Sequence, residues 1–145
     1  MKNNCFFANR DLDLKDIKVI GYDMDYTLIH YHVNKWEEKA YEHTLNHLIN
    51  EEGWPLKHLS FDPNLTRRGL VLDLKKGNML KVDEFGCVTM ASHGLQTLSE
   101  EEVKTEYSST FVDLSDPYYV FLNTLFSIST GCLYAQLVNE LEKKS

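Results

Sequence analysis

The chain has 145 residues, enough for one domain with its own core and too few for two. Hydrophobic residues make up 43% and charged residues 26%, an ordinary balance for a soluble globular protein. The formal net charge of −7 argues against nonspecific nucleic-acid binding, which needs a basic surface, although an acidic chain can still hold a nucleotide monophosphate through local groups and a metal. Cys5, Cys87 and Cys132 stand far apart and form neither a disulfide framework nor a zinc spacing, which fits reduced, buried thiols of an intracellular protein. The apolar patch near the start is too short for a secretory h-region, and no stretch approaches transmembrane length, so a cytoplasmic location is the default expectation.

Residues 1–16 are mixed, with Asn9 to Leu14 reading as a loop and short turn. Ile17, Val19, Ile20 and Tyr22 then form a short run rich in β-branched and aromatic residues, the pattern of a buried strand. It leads directly into Asp23-Met24-Asp25, with Thr27 two residues on. A strand ending in two carboxylates presents them at its C-terminal edge, where open parallel α/β sheets bind ligands. Because side chains alternate, Asp23 and Asp25 would point to the same side. Two such acids repel unless a proton or a hard cation such as Mg²⁺ intervenes. The pair suits phosphoryl transfer, in which one carboxylate attacks phosphorus and the other protonates the leaving oxygen. Asp-x-Asp alone also occurs in solvated turns and in the metal–nucleotide contacts of glycosyltransferases.

Asn34 followed by Glu37 suggests a capping box, and residues 36–50 a helix with Tyr41, Leu45, Leu48 and Ile49 as one apolar stripe, packed against the first strand. Gly53 and Pro55 supply the stop. His43 and His47 have a zinc-compatible spacing, but nothing completes a ligand set, and a solvated or partly buried pair is expected; His30 and His32 are given no catalytic role. From Gly69 to Ala91, short apolar runs separated by glycine turns predict an antiparallel meander over 70–74, 79–83 and 87–91. Arg67-Arg68 beside it reads as a surface contact more than as a phosphate clamp. Ser99 and Glu102 form a second capping box. Ser115-Asp116-Pro117 reads as a helix start, with Tyr118, Phe121, Leu122, Leu125 and Phe126 as its apolar face. Ser129-Thr130-Gly131 breaks that helix, and 132–144 resumes as an amphipathic one with Leu133, Leu137, Val138 and Leu141 on one side.

With the strand before it and Thr27-Leu28 after it, Asp23-Met24-Asp25 resembles motif I of the haloacid dehalogenase (HAD) superfamily of phosphohydrolases. More narrowly, Ile20 to Leu28 is similar to the motif of the cytosolic purine 5′-nucleotidases and their 5′-nucleotidase domain-containing relatives. The stretches 66–73, 77–83, 91–94 and 119–126 fit the same family, in family order and over nearly the whole chain. The resemblance implies an α/β fold: the N-terminal part of a HAD-like Rossmann-type core, with an antiparallel β-hairpin or meander insertion and C-terminal helices. It implies Asp23 as the nucleophile that forms an aspartyl-phosphate. Asp25 would be the acid for the leaving 5′-oxygen and then the base for water. Mg²⁺ would be held by the Asp23 carboxylate and the Asp25 backbone carbonyl. The expected partner is a nucleoside monophosphate, purine favoured, with no nucleic-acid polymer and no membrane; a homo-oligomer is compatible with the sequence.

The family's phosphate-binding Ser/Thr, its charge-neutralising lysine and its further metal-binding acids lie beyond the matched region. Residues 1–145 are therefore expected to be the N-terminal part of a longer 5′-nucleotidase domain, as a fragmentary gene model or a truncated product. Asp23 and Asp25 alone give a metal too few protein oxygens, and losing such electrostatic groups costs orders of magnitude in rate. A parallel sheet lacking strands would also leave an unpaired edge. The isolated chain is thus expected to be poorly stable and nearly inactive. The alternative reading is a noncatalytic interaction or regulatory protein that keeps motif I alone. A third is a different nucleotide-using enzyme with a metal-binding Asp-x-Asp.

Overall fold

The computed structural model describes residues 13–143. The chain divides into two compact units, the first ending at Tyr31 and the second beginning at His32. Cys5 and most of the lead-in loop lie outside the described residues.

In the first unit, Asp13 accepts a hydrogen bond from the Lys15 amide and caps a short 3-10 turn over Leu14–Asp16. The run expected to be the first buried strand is not a strand. Residues 17–24 have no ladder partner, and Val19 and Tyr22 are 85% and 72% exposed. A strand acquires its geometry from neighbours that take up its N–H and C=O groups. Among the described strands of this chain every ladder is antiparallel and lies elsewhere.

The second unit is built on a five-stranded antiparallel sheet: β1 (Val71–Asp73), β2 (Asn78–Val82), β3 (Val88–His93), β4 (Gln96–Thr97) and β5 (Tyr119–Phe121), in the order β4-β3-β2-β1-β5. The first three strands are the predicted meander. Its turns are shaped by aspartates. Asp73 Oδ1 accepts from the amides of Lys75 and Lys76, and Asp83 Oδ1 from those of Phe85 and Cys87. Gly77 and Gly86 supply the left-handed backbone, at φ 72° and 82°, that each turn requires.

Residues 118–126 are not the predicted helix. Tyr119, Val120 and Phe121 pair with Asp73, Leu72 and Val71, so β5 closes the open side of β1. The i, i+3, i+4 spacing there is genuine, but aromatic and β-branched residues also suit a strand, and an available edge decides between the two. A 3-10 turn over Leu125–Ser127 comes next.

Alternation along the strands puts two cores on opposite faces. Val71, Leu80 and Ala91 pack with Val103 and Tyr107 of α2 (Glu100–Tyr107). Leu72 and Met79 pack with Leu122 and with Ala135 of α3 (Ile128–Glu142). Full burial of side chains such as Val71 and Leu80, both at 0% exposure, contributes about 1.5–3 kcal/mol each.

A third core joins α1 (Val33–Asn50) to α3: Tyr41, Leu45 and Leu56 pack with Cys132 and Leu133. The predicted stripe of α1 therefore faces α3. Tyr41 donates to Gln136 Oε1, and Gln136 donates to the Ser60 carbonyl at 2.9 Å. Burial pushes the Tyr41 phenol up to about 12 and raises the Cys132 thiol as well. Cys87, expected to be buried, is exposed.

Ser129-Thr130-Gly131 lies inside α3. Gly131 is a packing residue: a Cβ there would stand 2.6 Å from Thr66 Oγ1 and 2.8 Å from Leu122 Cδ1. On the predicted apolar side of this helix Leu133 is buried, Leu137 and Val138 are half-buried and Leu141 is exposed. The capping box at Ser99 and Glu102 is present as predicted. The one at Asn34 and Glu37 is not. Glu37 is buried instead, and its Oε2 accepts from the Ser129 amide at the start of α3.

Candidate active site

Asp23 and Asp25 lie in the first unit, both exposed. Directly after them the chain forms a tight loop closed on itself. Leu28 and Ile29 amides both donate to the Met24 carbonyl, at 3.1 and 3.0 Å, and the Tyr26 amide donates to the Ile29 carbonyl at 2.9 Å. An isolated parallel bridge joins Asp25 to Ile29. Tyr26 sits at φ 59°, left-handed backbone that a bulky residue rarely adopts. Strain of this kind costs about 1–3 kcal/mol and gathers at functional sites. Thr27 and Leu28 are the residues around which the loop turns, so the chain reverses immediately after the second acid. Regular strand geometry does not place the two acids; a hydrogen-bonded turn holds the second.

The side chain of Asp25 is fixed as well. The Tyr31 hydroxyl donates to Asp25 Oδ1 at 2.6 Å, a short charge-assisted bond. The Tyr26 ring stands between neighbours, its centroid 5.7 Å from His30 and 5.6 Å from Tyr31. Bonding to the carboxylate raises the Tyr31 phenol above its ordinary range, with the nearby negative charge adding to the effect. Tyr31 is the member of this cluster that sequence reasoning missed. His30 and His32 stand out in the sequence as an alternating pair, and the tyrosine between them bonds to the acid. A phenol six residues from an aspartate follows no period that would announce it.

Asp23 and Asp25 offer hard oxygen donors, which suits Mg²⁺, an ion commonly held by one or two carboxylates together with water and phosphate oxygens. The donor chemistry of the two acids is compatible with such an ion, which the Asp23 carboxylate and the Asp25 backbone carbonyl would hold. Among the described residues, no group of three or more His, Cys, Asp and Glu side chains is placed to enclose a metal. His43 and His47 are exposed on α1.

The second unit carries the other polar features. Arg67 and Arg68 are exposed and, with Lys81, line a hollow of about 400 Å³ that Met79, Met90 and Ser92 also border. Between the sheet and α2 runs a polar chain that is buried at Asp73, Asn78 and Tyr107 and reaches the surface at Glu142. Asp73 Oδ2 accepts from the Tyr107 hydroxyl at 3.0 Å, and that hydroxyl accepts from Asn78 Nδ2 at 2.7 Å. Asn78 Oδ1 meets His93 Nδ1 at 2.7 Å, and His93 Nε2 meets Glu142 Oε1 at 3.2 Å. Burial, chiefly, pushes the Tyr107 phenol well up. The pattern satisfies buried groups and ties β1, β2, α2 and α3 together. Of its members, Asp73, Asn78 and His93 fall in the stretches 66–73, 77–83 and 91–94, whereas Tyr107 and Glu142 fall in none.

A sequence model of the 5′-nucleotidase family matches residues 6–145, and the chain belongs to that family. It is 30% identical over 141 residues to a 5′-nucleotidase domain-containing protein of Dictyostelium discoideum, covering 93% of this chain and 24% of that protein. It is 29% identical over 139 residues to 5′-nucleotidase domain-containing protein 1 of Bos taurus, covering 88% of this chain and 31% of that protein. The chain thus spans 24% and 31% of the length of these relatives. No helix among the described residues is long and apolar enough to cross a membrane.

Proposed function

We propose that these 145 residues are one segment of a HAD-type phosphomonoester hydrolase acting on nucleoside 5′-monophosphates, purines favoured, in the cytoplasm. The observation that carries this reading is the turn at Asp25: a second acid two residues after the first, a strained reversal at Tyr26 and a tyrosine hydroxyl fixing that second acid, in a chain of the 5′-nucleotidase family. The Asp23 carboxylate attacks phosphorus, and the bond from phosphorus to the 5′-oxygen breaks. Asp25, its Oδ1 bonded to Tyr31, enters this step protonated on Oδ2 and delivers that proton to the leaving oxygen. It then takes a proton from the water that hydrolyses the aspartyl-phosphate. Bound Mg²⁺ would offset the negative charge that gathers on the phosphoryl oxygens.

The experiment is phosphate release from inosine monophosphate, with and without Mg²⁺. Residues 1–145 alone are expected at background. Turnover is expected when they replace the matching quarter of the Dictyostelium protein, and Asp23→Asn is expected to abolish it. Equal rates for the parent and the Asp23→Asn hybrid would remove Asp23 from the chemistry. Turnover by residues 1–145 alone that survives Asp23→Asn would overturn the whole reading. The noncatalytic interaction reading has no structural observation of its own to favour it.

A further inference from the structure

Alternation along β2, β3 and β4 puts Met79, Lys81, Met90, Ser92 and Thr97 on one face of the sheet, since Lys81 pairs with Met90, Met79 with Ser92 and Ser92 with Thr97. This is the face that carries Leu72 and meets α3 at Ala135. Toward Lys81 it is uncovered, and Met90 is 53% exposed. Arg67 and Arg68 border the same hollow from a segment fixed at both ends. Thr66 is buried, its hydroxyl against the Met79 sulfur at 3.8 Å, and the Gly69 amide donates to the Leu122 carbonyl at 2.7 Å. A held backbone thus presents the two arginines, which lowers the entropy cost of gathering them round a ligand.

The charges in this hollow are unbalanced. Lys39, Lys75, Lys76 and Lys143 each have a carboxylate partner. Among the described residues the side chains of Arg67, Arg68 and Lys81 have none, and no carboxylate lines the hollow, although acids outnumber Lys and Arg by 22 to 15 in the chain. A concave positive surface without counter-charges concentrates anions. Ser92 and Thr97 add hydroxyl donors to its wall. A carboxylate brings one charge and two oxygens. A phosphate monoester brings nearly two charges and three terminal oxygens, a better match for two guanidinium forks and an ammonium. Met79 and Met90 supply polarizable thioethers that accept an aromatic or alkyl body, and about 400 Å³ suits a small molecule.

We propose that this hollow binds a small phosphate monoester with an apolar body, the phosphate held by Arg67, Arg68 and Lys81 and the body lying against Met79 and Met90. Every residue named lies in the second unit, so the inference does not rest on the chemistry assigned to Asp23 and Asp25. The test uses the chain labelled with ¹³C-methyl methionine, titrated without Mg²⁺ with phenyl phosphate at about pH 8, where that probe is a dianion. The Met79 and Met90 methyls report on the hollow, and Met24, between the two acids, reports on the turn. A saturable shift of Met90 is expected, with phenol binding about tenfold or more weakly and inorganic phosphate about threefold or more weakly. Arg68→Gln and Lys81→Gln, both at exposed positions that tolerate substitution, are each expected to weaken phenyl phosphate about fivefold. A Met90 methyl that does not move, a shift confined to Met24, phenol or inorganic phosphate bound as tightly as phenyl phosphate, or binding undiminished in both variants would each overturn the proposal.

Discussion

Tyr31 ties its own ionisation to that of Asp25. Its hydroxyl donates to a carboxylate, so losing the proton would set a phenolate against an anion at 2.6 Å. The phenol is therefore expected to ionise above the ordinary tyrosine range of about 10. Asp25→Asn should bring it back toward that range, read from the tyrosine Cζ resonance in a pH titration. An unchanged titration would mean that the bond does not persist in solution. At this scale the sequence is informative about kind more than place. Asp23 and Asp25 are legible from their spacing, because the chemistry needs two acids close together. The orientation of Asp25 is not, since it depends on a turn whose left-handed residue is a tyrosine and not the glycine that usually signals one. Glu37 shows the same limit. Its position fits a local capping box, and the bond it makes is to an amide 92 residues away.

Helices and strands are legible where local chemistry decides them. The α2 start combines a serine hydroxyl, a glutamate three residues on and an acidic first turn, all of which act within four residues. The Ser99 amide, and then its hydroxyl, hold the Glu102 carboxyl below its ordinary value. A depressed folded value means that the contribution is complete above the ordinary carboxyl pKa of 4.5 and is lost as pH falls through the lower folded one. The Tm gap between the parent and Ser99→Ala should accordingly be widest above that pH and narrow in acid; a gap that widens in acid would contradict the capping box. Where tertiary pairing decides the outcome, periodicity misleads. β5 is a strand because β1 has an edge to fill, and α3 runs through a sequence that reads as a break because Glu37 caps it from another helix. Gly131 lies in that apparent break. Gly131→Ala should destabilise by about 1–3 kcal/mol in urea unfolding, since the added carbon meets Thr66 and Leu122 inside contact distance. An alanine variant as stable as the parent would show that the packing there is loose.

For the molecule as a whole, the first unit and the second differ in how their backbones are satisfied. Amides of β1 and β2 lie in ladders with neighbours on both sides, whereas those of residues 17–23 have no ladder. Hydrogen exchange is therefore expected to be slow across 71–73 and 78–82 and near the unprotected rate across 18–23. Strong protection of 18–23 would mean that this run finds a strand partner in solution. The first three strands are readable as a meander because each of the two turns between them carries its own glycine and aspartate. The expected parallel core is not met, since a buried parallel strand is defined by neighbours that no local pattern encodes.

The bond from Glu37 to Ser129 also bears on how the chain acquires its structure. Strands β1 to β4 succeed one another through short turns, so they can pair as soon as each is synthesised, with little loop to close. The α1–α3 core cannot form until the chain has travelled 92 residues past Glu37. Until then α1 waits with its apolar stripe uncovered, open to aggregation or to a chaperone. On the ribosome α1, made well before α3, is among the last of the described elements to find its place.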